Sequence, residues 1–484
     1  MKRILIVTAI FLLAACFSSV RAGEKKSPGG EVIDKFKQEE IQLKVPQVGA
    51  EVKRLVLDNG LILYLYEDTT LPLFNVNTII RCGSIFDPIE KNGISRIVGT
   101  VMRTGGTTSI TGDSLNTLLE FIGGSLEISI DAESGSASLG ILSKDIDLGL
   151  KLYADLLRNP AFPQDEIDLA KEELKNSIKR RNDNPSHVSS RYFRSTLYQD
   201  HPYGRDLEWA TVKNITPDDL IDYHRSFFVP DRIMIGISGD FKSDDVVAKI
   251  KQYLGDWKKS DIPLPEYPAL DLAYHPGVFE VTKNINQANI LFGHLGMKRD
   301  NPDRYAVELM NYILGSGSFT SRLMSKVRSD EGLSYRVGSS YEINRRDYGI
   351  FEAWVQTKAE TAHKAIRLMV DEIDRMRKNG VTEQELSQAR DAVINKSIFN
   401  FDTPNKIISN LMSLEYNGYP LDYYEKYLDY YRKVTLEDIK NAAIKYLHPD
   451  RITFIVVGKP ELYEKPLDDF GQVTVIPLTE PVIE

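Results

Sequence analysis

Seven residues of this chain return at one fixed distance. Thr216, Asp219, Pro230, Asp231, Arg232, Ile233 and Gly239 recur as Thr435, Asp438, Pro449, Asp450, Arg451, Ile452 and Gly458, each 219 positions later. A constant offset of that length marks a duplicated domain rather than a short structural repeat. In each copy an amphipathic helix runs into Pro-Asp-Arg and then an apolar strand, Ile233 to Ser238 or Ile452 to Val457. Helix starts at Gln164 and Glu383 obey the same offset. Each copy therefore reads as one α+β unit of about two hundred residues, a normal domain size.

Residues 260–277 hold four prolines and little periodicity, the signature of an extended, semi-rigid linker. The division that follows is a first domain over 46–259, the linker, a second domain over 278–470 and a tail over 471–484. A duplicated, clam-like protomer is the expected shape. Within the first domain Leu57-Asp58-Asn59-Gly60 predicts a hairpin, followed by strands at 61–66 and 75–80. Leu115, Leu118, Leu119 and Ile122 mark a helix ended by Gly123-Gly124, after which strands at 125–130 and 136–142 alternate imperfectly. Ile167, Ala170, Leu174 and Ile178 mark a longer amphipathic helix.

The first residues read as an export signal. Lys2 and Arg3 precede an apolar run from Ile4 to Ala15 that is too short to span a bilayer. Two processing sites compete: Leu13-Ala14-Ala15-Cys16 resembles a lipobox, with Cys16 the lipidation candidate, and Val20-Arg21-Ala22 suits ordinary signal cleavage. The signal is thus 1–22, or 1–15 for a lipoprotein, and the rest up to residue 45 is a charged leader. The expected location is periplasmic, soluble or held to the membrane through Cys16. The net charge of −9 loses Lys2, Arg3 and Arg21 on cleavage and no acid, reaching −12, which argues against nucleic acid as a partner. Only one other cysteine exists, Cys82, read as a small buried hydrophobe. The seven histidines are His187, His201, His224, His275, His294, His363 and His448, none closer than 14 positions to another. No helical histidine pair for a metal exists. His187 and His201, flanking Arg191 and Tyr192, are the first pair to check for one.

Residues 92–107 read NGISRIVGTVMRTGGT. With Leu57-Asp58-Asn59-Gly60, Gly83-Ser84 and the run ILGSGSFTSRL at 313–323, this stretch resembles the pitrilysin/insulinase family of zinc metallopeptidases from about Glu51 to Pro460. The resemblance implies related αβ domains, each a mainly antiparallel sheet with helices packed on one side, and a peptide chamber formed when two halves face each other. In the family a Gly-Ile-Ser start leads into a helix bearing H-x-x-E-H, two zinc ligands on one face with a general base between them. Here the corresponding positions are Arg96, Gly99 and Thr100. The family's third ligand, a glutamate on a later helix, falls on Ser177 whether counted from Thr100 or back from Asp183-Asn184-Pro185. None of the four positions carries a metal-binding side chain, so no zinc is expected on this chain.

The family's second half carries an arginine and a tyrosine that reach towards the zinc site, and Arg328 and Tyr335 match them. A phenol or guanidinium aimed at the oxygen that gains charge during amide hydrolysis lowers the barrier. The family also binds substrate as an added strand on a sheet edge, which places Gly124, Ser125, Leu126 and Glu127 as substrate-binding candidates. The expected function is a non-catalytic subunit of an exported, heterodimeric zinc peptidase. A homologous partner would carry H-x-x-E-H and the zinc, while this chain contributes Arg328, Tyr335 and half of the peptide chamber. The alternative is a peptide-binding or scaffold protein of the same fold with no part in proteolysis.

Overall fold

Both copies of the repeat build the same six-stranded sheet in the computed structural model, which describes residues 45–484. The export segment, Cys16 and the leader to residue 44 lie outside the described residues. The first sheet is formed by β1 (Lys53–Val56), β2 (Ile62–Glu67), β3 (Leu73–Ile80), β4 (Ser125–Ile130), β5 (Gly135–Leu142) and β6 (Ile233–Gly239), in the order β1-β2-β6-β3-β5-β4. The second half contributes β7 (Gly277–Thr282), β8 (Gln287–Leu295), β9 (Met297–Lys298), β10 (Arg336–Tyr341), β11 (Ile343–Asn344), β12 (Ile350–Lys358), β13 (Thr453–Gly458) and β14 (Val473–Ile476). Its sheet runs β14-β7-β13-β8-β12-β10, while β9 and β11 make a separate parallel pair. Strand for strand the two orders correspond. They differ at one margin, where β1 lies antiparallel to β2 and β14 lies parallel to β7. Residues 471–484 are therefore not a detached tail, because β14 completes the second sheet and Lys213 Nζ donates to the Glu484 carbonyl at 2.9 Å.

The repeated residues explain themselves locally. Thr216 and Thr435 each accept from the backbone N–H three residues on, while Asp219 and Asp438 bond back to them, so both helices open on a capping box. The two Pro-Asp-Arg motifs hold the two ends of the linker. Arg232 donates to the Ile262 carbonyl, and the Arg451 guanidinium lies 4.8 Å over the Tyr274 ring. Between Leu254 and Gly277 the chain has neither helix nor strand, as its prolines predict. The predicted hairpin forms between β1 and β2, with Gly60 in the left-handed region at φ 86°.

Each sheet carries its own half's helices on one face. On the other face it carries a helix from the opposite half. Along β6, Ile233, Ile235 and Ile237 enter the first core, and the intervening Gly236 meets the helix Pro404–Tyr416 at Ile408 and Met412. Along β13, Phe454 and Val456 enter the second core, and Ile455 and Val457 pack with Val188, Phe193, Leu197 and Tyr198 of the helix Pro185–Tyr198. Alternation along a strand assigns the two faces. Pro185 and Pro404 stand at the same 219-residue offset, so the exchange is reciprocal. Helices packed on one side of each sheet therefore describes only half of the arrangement. The exchanged helices bind the two halves into one compact unit over Val45–Glu484.

Candidate functional site

The helix Ile94–Thr104 starts after Gly93, whose φ of 105° is left-handed. The Asp87 carboxylate accepts from Gly93 N at 3.0 Å, Ser95 N at 3.4 Å and Ser95 Oγ at 2.9 Å, closing the open end of the helix. Burial pushes that carboxyl up to about 7. Ile97, Val98, Val101 and Met102 form the buried stripe, and Gly99 backs onto β4, where a Cβ would lie 3.3 Å from Ile130 N. Arg96 is exposed and Thr100 partly so. Ser177 is exposed on the helix Gln164–Lys179, at the rim of a cavity of about 920 Å³. Arginine, glycine, threonine and serine offer zinc no imidazole, thiolate or carboxylate, so the four positions do not fit the ion. Among the described residues no group of three His, Cys, Asp or Glu side chains could hold a metal.

The histidines have other work. His187 lines the cavity beside Ser177, whereas His201 is buried at the junction of the halves. His201 accepts from Tyr203 N at 3.2 Å and lies 3.6 Å from Asp347, with burial pushing its imidazole down. The pair singled out in the sequence is thus split between a cavity wall and a packed core. A closer pair, His294 and His448, has ring centroids 4.9 Å apart although 154 residues separate the two in sequence. His294 Nε2 accepts from His448 N at 3.1 Å and Nδ1 lies 2.8 Å from the Leu295 carbonyl, which fixes a neutral, structural imidazole with burial holding it down at about 3. Cys82 is buried, its thiol pushed up to about 12.

Arg328 and Tyr335 come together. Arg328 lies in the π-helical turn Met324–Asp330, and Tyr335 immediately precedes β10. The guanidinium sits 5.6 Å from the Tyr335 ring centroid and 4.6 Å from that of Phe319. Tyr335 is 86% exposed and Phe319 68%, and among the described residues Arg328 makes no ion pair. This geometry does not match an arginine capping a helix with a tyrosine packed on a sheet. It exposes both rings to solvent, with the partly buried guanidinium beside them. Phe319 was not singled out in the sequence, although it lies inside the 313–323 run.

The substrate-edge candidates also sit at a sheet margin. Among the described residues β4 pairs with β5 alone, so its outer N–H and C=O groups are free of any ladder there. Gly124 is required there, since a Cβ would come within 2.8 Å of Ile141 Cγ2. Leu126 points into the core, while Ser125 and Glu127 point outwards and Glu127 lies 3.5 Å from Arg103. Leu126 is thus a packing residue with no surface for a ligand. In the matched sheets β4 and β10 hold the same marginal place, so Gly124 and Tyr335 each stand directly before an edge strand.

Residues 64–211 match the insulinase (peptidase family M16) domain and residues 214–393 the peptidase M16 inactive domain. A Rickettsia felis protein named an uncharacterized zinc protease is 25% identical over 69% of this chain and 80% of its own. A Helicobacter pylori protein named the non-peptidase homolog YmxG is 22% identical over 81% of this chain and 91% of its own. Among solved structures, a peptidase M16 inactive domain from Pseudomonas fluorescens superposes with a TM-score of 0.77 at 26% identity, covering 86% of this chain and 99% of its own. The periplasmic protease PqqL from Escherichia coli shares the fold with a TM-score of 0.75 at 16% identity, over 91% of this chain and 51% of PqqL. With both family domains matched in order across the duplicated sheets, the chain belongs to the insulinase (M16) family of peptidases.

Proposed function

We propose that this chain is the non-catalytic subunit of an exported, periplasmic zinc peptidase, soluble or anchored through Cys16, that works as a heterodimer with a homologous zinc-bearing chain. The observation that carries the reading is Tyr335, exposed to solvent beside a partly buried Arg328 that has no acid partner among the described residues, on a chain whose four metal positions hold Arg96, Gly99, Thr100 and Ser177. A tyrosine needed only for folding would bury its ring. PqqL supports the same division, since this chain corresponds to about half of it and a second such unit would complete the chamber.

In the assembled pair Tyr335 donates its hydroxyl to the scissile carbonyl oxygen as that oxygen gains charge, and Arg328 holds the phenol from behind while gripping a neighbouring peptide carbonyl. The open edge of β4 binds peptide main chain through Ser125 and Glu127, with Gly124 admitting close approach. A homologous partner would supply the zinc, which polarises a water nucleophile when bound. The test is reconstitution with a homologous chain bearing H-x-x-E-H. Tyr335→Phe is expected to lower kcat by about 10²-fold with little change in KM, in the range for loss of one such donor. An unchanged kcat would remove Tyr335 from the mechanism and leave a peptide-binding scaffold as the better account.

A further inference from the structure

The inner face of the second sheet carries an acid that the fold does not use. Glu352, Trp354 and Gln356 alternate on β12 with Phe351, Ala353 and Val355, which enter the second core, so the first three face away from it. They line a cavity of about 250 Å³ whose opposite wall is the start of the helix Pro185–Tyr198, with Ser186, Ser189 and Ser190. Among the described residues the Glu352 carboxylate makes no hydrogen bond and no ion pair, although the residue is partly buried. The neighbouring charges leave its carboxylate without an ion pair among the described residues. Glu342 is paired with Arg194 at 2.6 Å. Arg336, the other charged wall residue, pairs with Gln356 across the ladder, and Glu352 pairs with Ser340. Four residues separate the two positions along the strand, roughly 14 Å of backbone at about 3.4 Å per residue, and no ion pair joins Arg336 to Glu352.

Burial raises the Glu352 carboxyl, Glu342 raises it further and Arg194 offsets part of the effect, so an added cation would be favoured. Trp354 stands beside it, its indole lying over Gly338, where a Cβ would meet the ring at 2.9 Å. An aromatic face next to an unpaired carboxylate is the pairing that an ammonium or guanidinium prefers. The first sheet shows that the fold needs neither group, since the outward positions of its matching strand β5 are Ser136, Ser138 and Gly140. A volume of about 250 Å³ admits one long side chain and is below the usual size of a drug-sized ligand site.

We propose that this cavity receives a lysine or arginine side chain of a bound peptide, its cationic head on the Glu352 carboxylate and its stem along Trp354. The proposal rests on the peptide-binding reading above, and two measurements separate their failures. Fluorescein-labelled Ser-Ala decapeptides with one central lysine, norleucine or glutamate are titrated into the full-length chain and its Glu352→Gln variant. The lysine peptide is expected to bind about tenfold tighter than the norleucine peptide, and E352Q to close that gap while leaving the norleucine peptide unchanged. Independently, the Glu352 carboxyl is titrated by carbon NMR, assigned by its loss in E352Q. N-acetyl-lysinamide should lower its titration pH, and N-acetyl-norleucinamide should not. A lysine preference that survives in E352Q, or a Glu352 titration unmoved by lysinamide, overturns the site. Absence of binding by all three peptides, with the lysinamide shift present, keeps the site and overturns the peptide-binding reading instead.

Discussion

The two halves solve one packing problem with opposite choices of volume. On the first sheet Gly236 leaves room for Ile408 and Met412 of the visiting helix, and on the second sheet the matching position is Ile455 and the visiting helix carries Ser189 in place of Ile408. A glycine under a large residue and a large residue under a serine fill the same gap. Duplication thus preserved the exchange of helices while each interface redistributed its bulk, as expected where total volume matters more than identity. Elsewhere the halves have diverged in chemistry. The first carries Arg96, Gly99 and Thr100 on the helix Ile94–Thr104, and the second exposes Tyr335 beside Arg328.

The sharpest break in that comparison is Gly236→Ile. A Cβ alone would lie 2.1 Å from Ile408 Cγ2 and 2.2 Å from Met412 Sδ, so overpacking is expected to cost about 3 kcal/mol in urea unfolding. Adding Ile408→Ser imports the second half's solution. The double variant should be less destabilised than the sum of the singles by about 1–3 kcal/mol, the coupling of residues sharing one site. Additive singles would mean that the two interfaces are not volume-matched.

Much of this was legible along the chain. The 219-residue offset announces the duplication, the 57–60 turn its hairpin, and the strand expected at 125–130 forms as β4 with those bounds. What periodicity cannot state is which surface a buried stripe meets. Val188, Phe193 and Leu197 mark a helix with an apolar face, yet nothing local says that the face lies on the other half's sheet. The apolar runs of β6 and β13 held the clue, because a strand buried on both faces requires a second cover. Of the candidate site, the positions Arg96, Gly99, Thr100 and Ser177 and the pair Arg328 and Tyr335 are singled out by the family resemblance, and the structure brings the last two together. Phe319 and Glu352 are not singled out, since an aromatic in a loop and an acid in an alternating strand are ordinary until their surroundings are known.

A smaller contrast concerns two acids placed ahead of corresponding helices. Asp87, before Ile94–Thr104, is raised to about 7 by burial, whereas Asp303, before Arg304–Asn311, is lowered mainly by its hydrogen bond from Lys445. The signs of linkage are opposite. The folded state holds the Asp87 proton that the unfolded chain releases near pH 4, so this group's contribution falls as pH rises from about 4 to 7. The Asp303 contribution is present above the unfolded value and lost as pH falls below about 4. Asp87→Asn should therefore flatten the loss of thermal stability between pH 5 and 7, and Asp303→Asn should leave that range unchanged and soften the decline below pH 4. Identical pH profiles for the two variants would show that burial does not distinguish the two positions.

The smallest expected change in stability belongs to the residue given the largest chemical role. Tyr335 is 86% exposed, and its ring meets Arg328 only at 5.6 Å. An exposed cation–π contact contributes about 0.5–1 kcal/mol, and Arg328 keeps its closer contact with Phe319 at 4.6 Å. Tyr335→Ala should therefore shift unfolding free energy by less than about 0.5 kcal/mol, the usual range for a surface position. Gly236→Ile removes several times as much without approaching the displayed pair. That exposure is what the proposed role of Tyr335 requires, a phenol open to a group outside the chain. A Tyr335→Ala cost of 2 kcal/mol or more would return the ring to the packing of the second sheet.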